Sequence, residues 1–471
     1  MKKYLFILGL VGTALFTACS TSDDLTAEEP SVTPVVDQTK EASLIIDAAQ
    51  NSDIPISIGV GSNRGFTRAV VNPDASGNFK TETGKYLGVF CLATDIQSNV
   101  DESVIPEVIR TNNWNTAAED DKAGLIVRMN NVPAKVTTDG TTSDVTFLDA
   151  STLTNPTPSV QHYYYPMGNW MKYNFYAYYP RQEKVVDGNT TLSFSANQVL
   201  EKYYEIDGSQ DIIWGMSDQE NATPVASSSA TDADPYCAKY FRLWKEADGA
   251  NIENYYPKFE FKHKLMQLRF FVKAANSTVL PDLTSKNMKV VDMSISNAIY
   301  RLSLIVANKA EASKNGQLSM MSSLKTKELG IKEYGLDKNR FRDENGDDAV
   351  DAPFAIAVDD VTVTAVDGDG NPNDPGFVGY IMLPPTKVSD VVGFKYQLVV
   401  KVQYTIDAVD YTNEIPVALS LPTTESDNGT GKIYNIVVSV QSPQEVHAKA
   451  TLAAWEVYDN GNNGRIDVYG E

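Results

Sequence analysis

The sequence contains few of the side chains from which catalytic or metal sites are usually built. There are three histidines among 471 residues, at positions 162, 263 and 447, and none has a neighbour at a metal-ligand spacing. No glycine-rich phosphate loop, Gly-x-Ser-x-Gly motif or His-Glu-x-x-His motif occurs. The sequence therefore predicts no catalytic residue, no metal and no cofactor, and we expect a protein that is not an enzyme.

A surplus of basic residues is also absent. The chain has 40 Lys and Arg against 61 Asp and Glu, which gives a net charge of −21. Nucleic-acid-binding surfaces need clustered Lys and Arg, so we expect no nucleic-acid partner. The acidic segments 343–348, 367–371 and 459–467 lack the ligand spacing of a calcium loop and are interpreted as solvated turns.

Long apolar runs are absent after residue 19, which excludes a predicted transmembrane helix in the rest of the chain. Before it, two lysines precede an apolar run at 4–15, and small residues stand directly before Cys19. This arrangement resembles a bacterial lipoprotein signal, in which residues 1–18 are removed and Cys19 is lipidated, with palmitate among its acyl chains. We expect an exported outer-membrane lipoprotein; an ordinary secretory signal is the alternative.

The two other cysteines, Cys91 and Cys237, give no disulfide framework. They are far apart in sequence, and two thiols cannot define a pattern of bridges. They could pair in an exported protein, but we expect two buried free thiols.

Helical periodicity is sparse, whereas alternation of apolar and polar residues is common. The 24 tyrosines and 17 phenylalanines suit half-buried pleated surfaces. Residues 394–403 alternate between apolar and polar side chains at all positions but Val399, as antiparallel strands with one solvated face do. The sequence predicts an all-β, mainly antiparallel fold with few short helices and two β-sandwich domains in series. The predicted divisions are a tether and first strand at 19–68, an N-terminal domain at 69–250 and a C-terminal domain at 251–471.

The clearest strand lies near the start of the chain, at residues 53–60. Its apolar side chains share one face: Ile54, Ile56, Ile58 and Val60. Pro55 cannot donate a ladder hydrogen bond and therefore favours an edge position.

The last predicted strand, at 446–457, alternates less regularly. Its apolar residues change parity along the strand: Ala448, Ala450, Leu452 and Ala454, then Trp455 and Val457. The sequence leaves open whether this segment is a fixed last strand or is free to pair elsewhere.

The densest aromatic stretch is residues 162–180. Exposed rings there could contact carbohydrate or protein. Because rings occupy both parities of 173–179, we favour a central strand that is buried on both faces.

Nine different short motifs follow one another along almost the whole chain. They are Thr67-Arg68-Ala69, Gly88-Val-Phe90, Tyr164-Tyr-Pro, Phe175-Tyr-Ala-Tyr-Tyr-Pro180, Asp211-Ile-Ile-Trp214, Phe261-Lys-His263-Lys-Leu265-Met-Gln-Leu268, Met382-Leu-Pro-Pro385, Gly431-Lys-Ile-Tyr434 and Ala453-Ala-Trp455. In this order, behind a lipoprotein signal, they resemble the fimbrillin family, the subunits of type V pili.

The resemblance implies a lipid-anchored precursor that becomes a subunit of a cell-surface fimbria and supports adhesion. A maturation protease would cut between Arg68 and Ala69, with Arg64 as the alternative site, and remove the strand at 53–60. A donor strand from another subunit, corresponding to 446–457, would fill the groove that this opens. Implied partners are other fimbrial subunits, the protease and a host or bacterial surface ligand.

Three other interpretations stay open. A tip or accessory adhesin of the same family would accept a strand and donate none. An anchor subunit would keep its lipid and its first strand. A surface carbohydrate-binding lipoprotein, or a glycan-degrading enzyme, would use exposed aromatic rings instead.

Overall fold

The computed structural model describes residues 38–60, 81, 84–97, 100–115, 123–138, 143–182, 185–186, 189–217, 236–320, 325–332, 376–388, 393–421 and 430–453. The α-helices are α1 (Gln38–Ala49), α2 (Glu107–Arg110), α3 (Ala123–Ile126), α4 (Ala238–Asp248) and α5 (Leu280–Ser285). None of these described helices is long and apolar enough to cross a membrane.

Strands account for most of the regular structure in these residues, which confirms the all-β prediction. The first twelve are β1 (Asn51–Pro55), β2 (Gly59–Val60), β3 (Leu87–Ile96), β4 (Val127–Thr138), β5 (Ser143–Phe147), β6 (Tyr164–Pro166), β7 (Met171–Tyr179), β8 (Val185–Val186), β9 (Asn189–Thr190), β10 (Leu192–Phe194), β11 (Gln198–Glu205) and β12 (Ile213–Ser217). The remainder are β13 (Lys258–His263), β14 (Met266–Ala274), β15 (Lys289–Ile299), β16 (Arg301–Asn308), β17 (Leu318–Met320), β18 (Thr326–Gly330), β19 (Phe377–Leu383), β20 (Gln397–Ile406), β21 (Val409–Ala418), β22 (Ile433–Ser442) and β23 (Glu445–Ala453).

The first half of the chain forms a closed barrel where the sequence analysis predicts a sandwich. The strand order around it is β12-β13-β2-β5-β4-β3-β7. The sheet closes because β2 lies between β5 and β13 and makes a ladder contact with each. Closure removes the free edges that an open sheet would present.

Two four-stranded sheets, β19-β14-β22-β23 and β18-β15-β20-β21, make up the second half. Strands β20 and β22 bury alternate residues, as expected for one core-facing side, whereas β14 and β19 are buried at almost every position. Leu268 and Ile436 belong to the first sheet, and Met293 and Val400 to the second. All four side chains join one continuous buried cluster.

The predicted division at residue 250 is crossed in two places. Strand β13, which the prediction assigns to the C-terminal domain, is a barrel strand paired with β12. A further sheet, β10-β11-β16-β17, joins residues 192–205 to residues 301–320. Sequence alternation identifies strands but contains no information on which strands become neighbours.

Two of the sequence motifs meet at a buried carboxylate where β13 leads into β14. Asp211, which is 1% exposed, accepts hydrogen bonds from the backbone N–H of Ile212 at 2.7 Å and of Leu265 at 3.1 Å. Its second oxygen pairs with Nδ1 of His263. These contacts hold the end of the barrel to the start of the second half, so His263 has a structural role.

We expect Asp211→Ala to lower the free energy of unfolding by about 2–4 kcal/mol, because it leaves buried donors without their acceptor. The measurement is urea unfolding followed by tryptophan fluorescence. Asp282→Ala, which breaks an exposed pair with Lys286, is the control and should change stability by less than about 0.5 kcal/mol. An unchanged unfolding midpoint in Asp211→Ala would contradict this role.

Lys264, at the same junction, makes the free energy of unfolding depend on pH. Its ammonium lies 4.8 Å from the centre of the Trp214 ring, and burial together with nearby Lys262 lowers its pKa to about 8. The unfolded chain keeps this proton up to a pH of about 10. The folded protein therefore gains stability from this group as the pH rises from 8 to 10.

Lys264→Met should raise the free energy of unfolding at pH 7 by about 1–2 kcal/mol, since it removes a partly buried charge. This increase in the free energy of unfolding should become smaller towards pH 10. Urea unfolding at pH 7, 8.5 and 10 is the measurement that checks this prediction. Lys449 of β23, an exposed lysine, changed to Met is the control. A gain that is the same at all three pH values would count against burial as the cause.

Candidate functional site

The candidate site is the path of the N-terminal segment, residues 43–60, across the barrel. It consists of the end of α1 followed by β1 and β2. The sequence predicts a tether followed by one strand at 53–60; in the structure the helix Gln38–Ala49 precedes the strand, and the strand is interrupted between Pro55 and Gly59. The interruption lets the segment pair first with β6 and then with the barrel strands.

Strand β2 closes the barrel although it is two residues long. It runs parallel to β13, with Gly59 opposite Lys258 and Val60 opposite Phe259, and antiparallel to β5. The N–H of Gly59 donates to the carbonyl of Pro257 at 3.0 Å. Two neighbours make β2 an internal strand, so the edge position expected from Pro55 applies only to β1, which pairs with β6 alone.

The buried face of the segment follows the predicted alternation. Ile54, Ile56 and Ile58 are 6%, 4% and 4% exposed, and Val60 is half-buried. All of them contribute to the main buried cluster. Burying three isoleucine side chains contributes about 5–9 kcal/mol to folding, so this short segment is a major part of the barrel core.

Arg128 of β4 holds the start of the segment. Its guanidinium donates to the carbonyl oxygen of Ala49 at 3.1 Å and of Tyr164 at 2.6 Å, and it contacts the side-chain oxygen of Asn51. One barrel side chain thus ties the end of α1 to both β1 and β6. Nothing in the sequence pattern around Arg128 indicates this role.

A second arginine, Arg242 of α4, pairs with Asp53. Its Nη2 lies 2.6 Å from the carboxylate oxygen, and its Nε donates to the same atom at 3.1 Å. The hydrogen bond from Arg242 lowers the pKa of Asp53, so this carboxylate is ionised at neutral pH. Both side chains are largely exposed, so this is a surface ion pair at the residue before the first buried isoleucine.

Helix α1 approaches the barrel closely at Gly168. The N–H of Gly168 donates to the carbonyl of Ala48 at 2.9 Å, and a Cβ at this position would lie 2.6 Å from the Cβ of Ala48. A side chain cannot be accommodated unless α1 moves outward.

Gly168→Ala should therefore lower the free energy of unfolding by about 1–3 kcal/mol, measured by urea unfolding. Gly249→Ala is the matched control, because the nearest atom to its added Cβ is 3.9 Å away. Equal stabilities of the two variants would show that α1 is not packed as described.

The C-terminal candidate strand is paired within its own chain. Strand β23 runs antiparallel to β22 from Val446, opposite Val440, to Ala453, opposite Ile433. It is the last strand of its sheet, with Ala448 and Ala450 half-buried against the core. Among the described residues, 445–453 therefore form the edge strand of this sheet.

Several predicted positions lie outside the described residues. These are Cys19, Arg64, Arg68, Ala69, Ala454, Trp455 and Val457. Leu452 lies in β23, opposite Tyr434.

The aromatic block forms the centre of the barrel. Tyr173, Phe175, Tyr176, Tyr178 and Tyr179 of β7 are each 0–1% exposed, so these rings are unavailable to a carbohydrate. Cys91 and Cys237 are buried, as predicted, and no disulfide joins them. No group of three His, Cys, Asp or Glu side chains that could hold a metal occurs within the described ranges.

Comparison with known proteins gives distant structural similarity. No family model matches, and no curated protein matches. A "putative cell adhesion protein" of Bacteroides uniformis is similar over 85% of this chain and 98% of its own, at 13% identity and a TM-score of 0.36. Another from Parabacteroides distasonis covers 86% and 98%, at 9% identity and a TM-score of 0.38.

A third similar structure is the tip fimbrial protein Mfa3 of Porphyromonas gingivalis with a C-terminal truncation. It matches over 84% of this chain and 99% of its own, at 6% identity and a TM-score of 0.31. At these scores no residue-by-residue correspondence can be drawn.

Proposed function

We propose that this chain is the precursor of a structural subunit of a cell-surface fimbria that supports adhesion. The observation that carries the proposal is the position of residues 54–60, which complete the barrel core and close the sheet between β5 and β13. The ordered sequence motifs and the lipoprotein-like signal support the same function.

In the proposed maturation, the precursor is lipidated at Cys19, reaches the outer membrane and is cut after Arg68, or after Arg64. Cutting lets the strand at 53–60 leave. Its departure exposes an apolar slot, which is the space now taken by Ile54, Ile56, Ile58 and Val60. It also frees the backbone N–H and C=O groups of β5 and β13 that now pair with β2. Such an opening is unstable in water unless another strand pairs there, which favours assembly by strand exchange.

N-terminal sequencing of fibres sheared from the cell surface tests the proposal. We expect a start at Ala69, or at Gly65 if Arg64 is the cleavage site. Arg68→Ala should remove fibres carrying this chain and leave the lipidated precursor on the cell, and Arg64→Ala serves as the matched control. A blocked, lipidated Cys19 on a cell-bound monomer, with no cut form, would overturn the proposal and favour an anchor.

A further inference from the structure

The opened slot would have a definite side-chain specificity, if the proposed loss of residues up to 68 takes place. The segment that now fills it carries one carboxylate and then apolar side chains at the first, third, fifth and seventh positions after it: Asp53, followed by Ile54, Ile56, Ile58 and Val60. The slot accommodates β-branched chains at the first three of these positions, each at most 6% exposed.

The carboxylate pairs with a cation at the surface of the barrel. Arg242, whose side chain is 41% exposed, belongs to helix α4, and Phe241 and Trp244 of that helix are buried in the core. Once the segment leaves, the charge that Asp53 neutralises would face the opened slot. An incoming strand with a carboxylate one residue before its first buried side chain would restore the pair.

The chain's own C-terminal strand meets the charge requirement but not the volume requirement. Counted from Glu445, its apolar positions are occupied by Val446, Ala448, Ala450 and Leu452. In this register, Ala448 and Ala450 take the positions of Ile56 and Ile58. If the strand shifts by two residues, the same two alanines take the positions of Ile54 and Ile56. Each isoleucine-to-alanine change in a packed site leaves a cavity that weakens binding by at least tenfold.

A second segment of the chain does reproduce the pattern. From Glu414 the apolar positions are Ile415, Val417, Leu419 and Leu421, with a proline at the position of Pro55. This segment includes the second half of β21, which is paired along its length with β20 and is followed by β22 and β23. Its place in a hairpin keeps it from acting as a terminal extension.

We propose that the strand which fills the opened slot comes from a different polypeptide, and that it carries a carboxylate for Arg242 followed by large aliphatic side chains one, three and five residues later. A second copy of this chain is a poor donor because no register of its residues 446–457, on either parity, places large aliphatic side chains at all three positions. The cut protein is therefore expected to accept a strand and not to polymerise with itself through this segment.

A peptide-uptake assay on the whole chain tests this inference. The lipid-free precursor, residues 20–471, is cut at Arg68 by limited trypsin treatment and incubated with fluorescent peptides, and uncut protein is the control. The peptides are residues 50–60, residues 442–452, and residues 442–452 with Ala448→Ile and Ala450→Ile. Peptide bound to protein is measured after gel filtration.

We expect the 50–60 peptide to enter the cut protein, and the 442–452 peptide to need a concentration on the order of 100-fold higher. The double isoleucine change should recover most of that difference. Asp53→Asn in the 50–60 peptide should weaken uptake about fivefold, and Arg242→Gln in the protein should remove this difference.

Equal uptake of the 50–60 and unmodified 442–452 peptides, or self-polymerisation of the cut protein, would overturn the inference and leave the proposed function intact. Failure of the cut protein to take up any peptide would overturn both, because the slot would then not open. If Asp53→Asn in the peptide weakens uptake by the Arg242→Gln protein as much as by the unchanged protein, Arg242 does not recognise the carboxylate.

Discussion

The structure depends on closing one sheet with a strand of two residues. Strand β2 is the link between β5 and β13, and the isoleucines that precede it belong to the main buried cluster. Backbone pairing over two residues is weak, so the closure relies on side-chain burial and on polar contacts of the segment.

Two arginines make polar contacts with the segment around the start of β1. Arg128 binds the backbone carbonyl of Ala49 and the side-chain oxygen of Asn51, whereas Arg242 binds the carboxylate of Asp53. A contact with a backbone carbonyl is independent of sequence, and a contact with a side chain is not. The segment is therefore held by both kinds of contact within five residues.

The halves of the molecule share a core and a sheet, and this explains why the fold has no simple boundary at residue 250. The carboxylate of Asp211 fixes the passage from β13 to β14, and β11 pairs with β16 across the same boundary. Removing the first strand would therefore disturb the barrel near its closure while these contacts continue to hold it to the rest of the chain.

Much of the local structure could be predicted from the sequence. The alternation at 53–60 identifies the buried isoleucines, and rings on both parities of 173–179 identify a strand that is buried on both faces. These predictions succeed because a strand's period of two depends only on its own backbone geometry.

Pairing and closure could not be predicted in the same way. The barrel, the internal position of β2, the helix at 38–49 and the roles of Arg128 and Arg242 all depend on residues that are distant in sequence. The sequence by itself determined the strands, their buried faces and the all-β class, because those follow from local periodicity. Only the tertiary structure decided which strands are neighbours and which charges meet, because long-range contacts form between segments whose own patterns do not specify a partner.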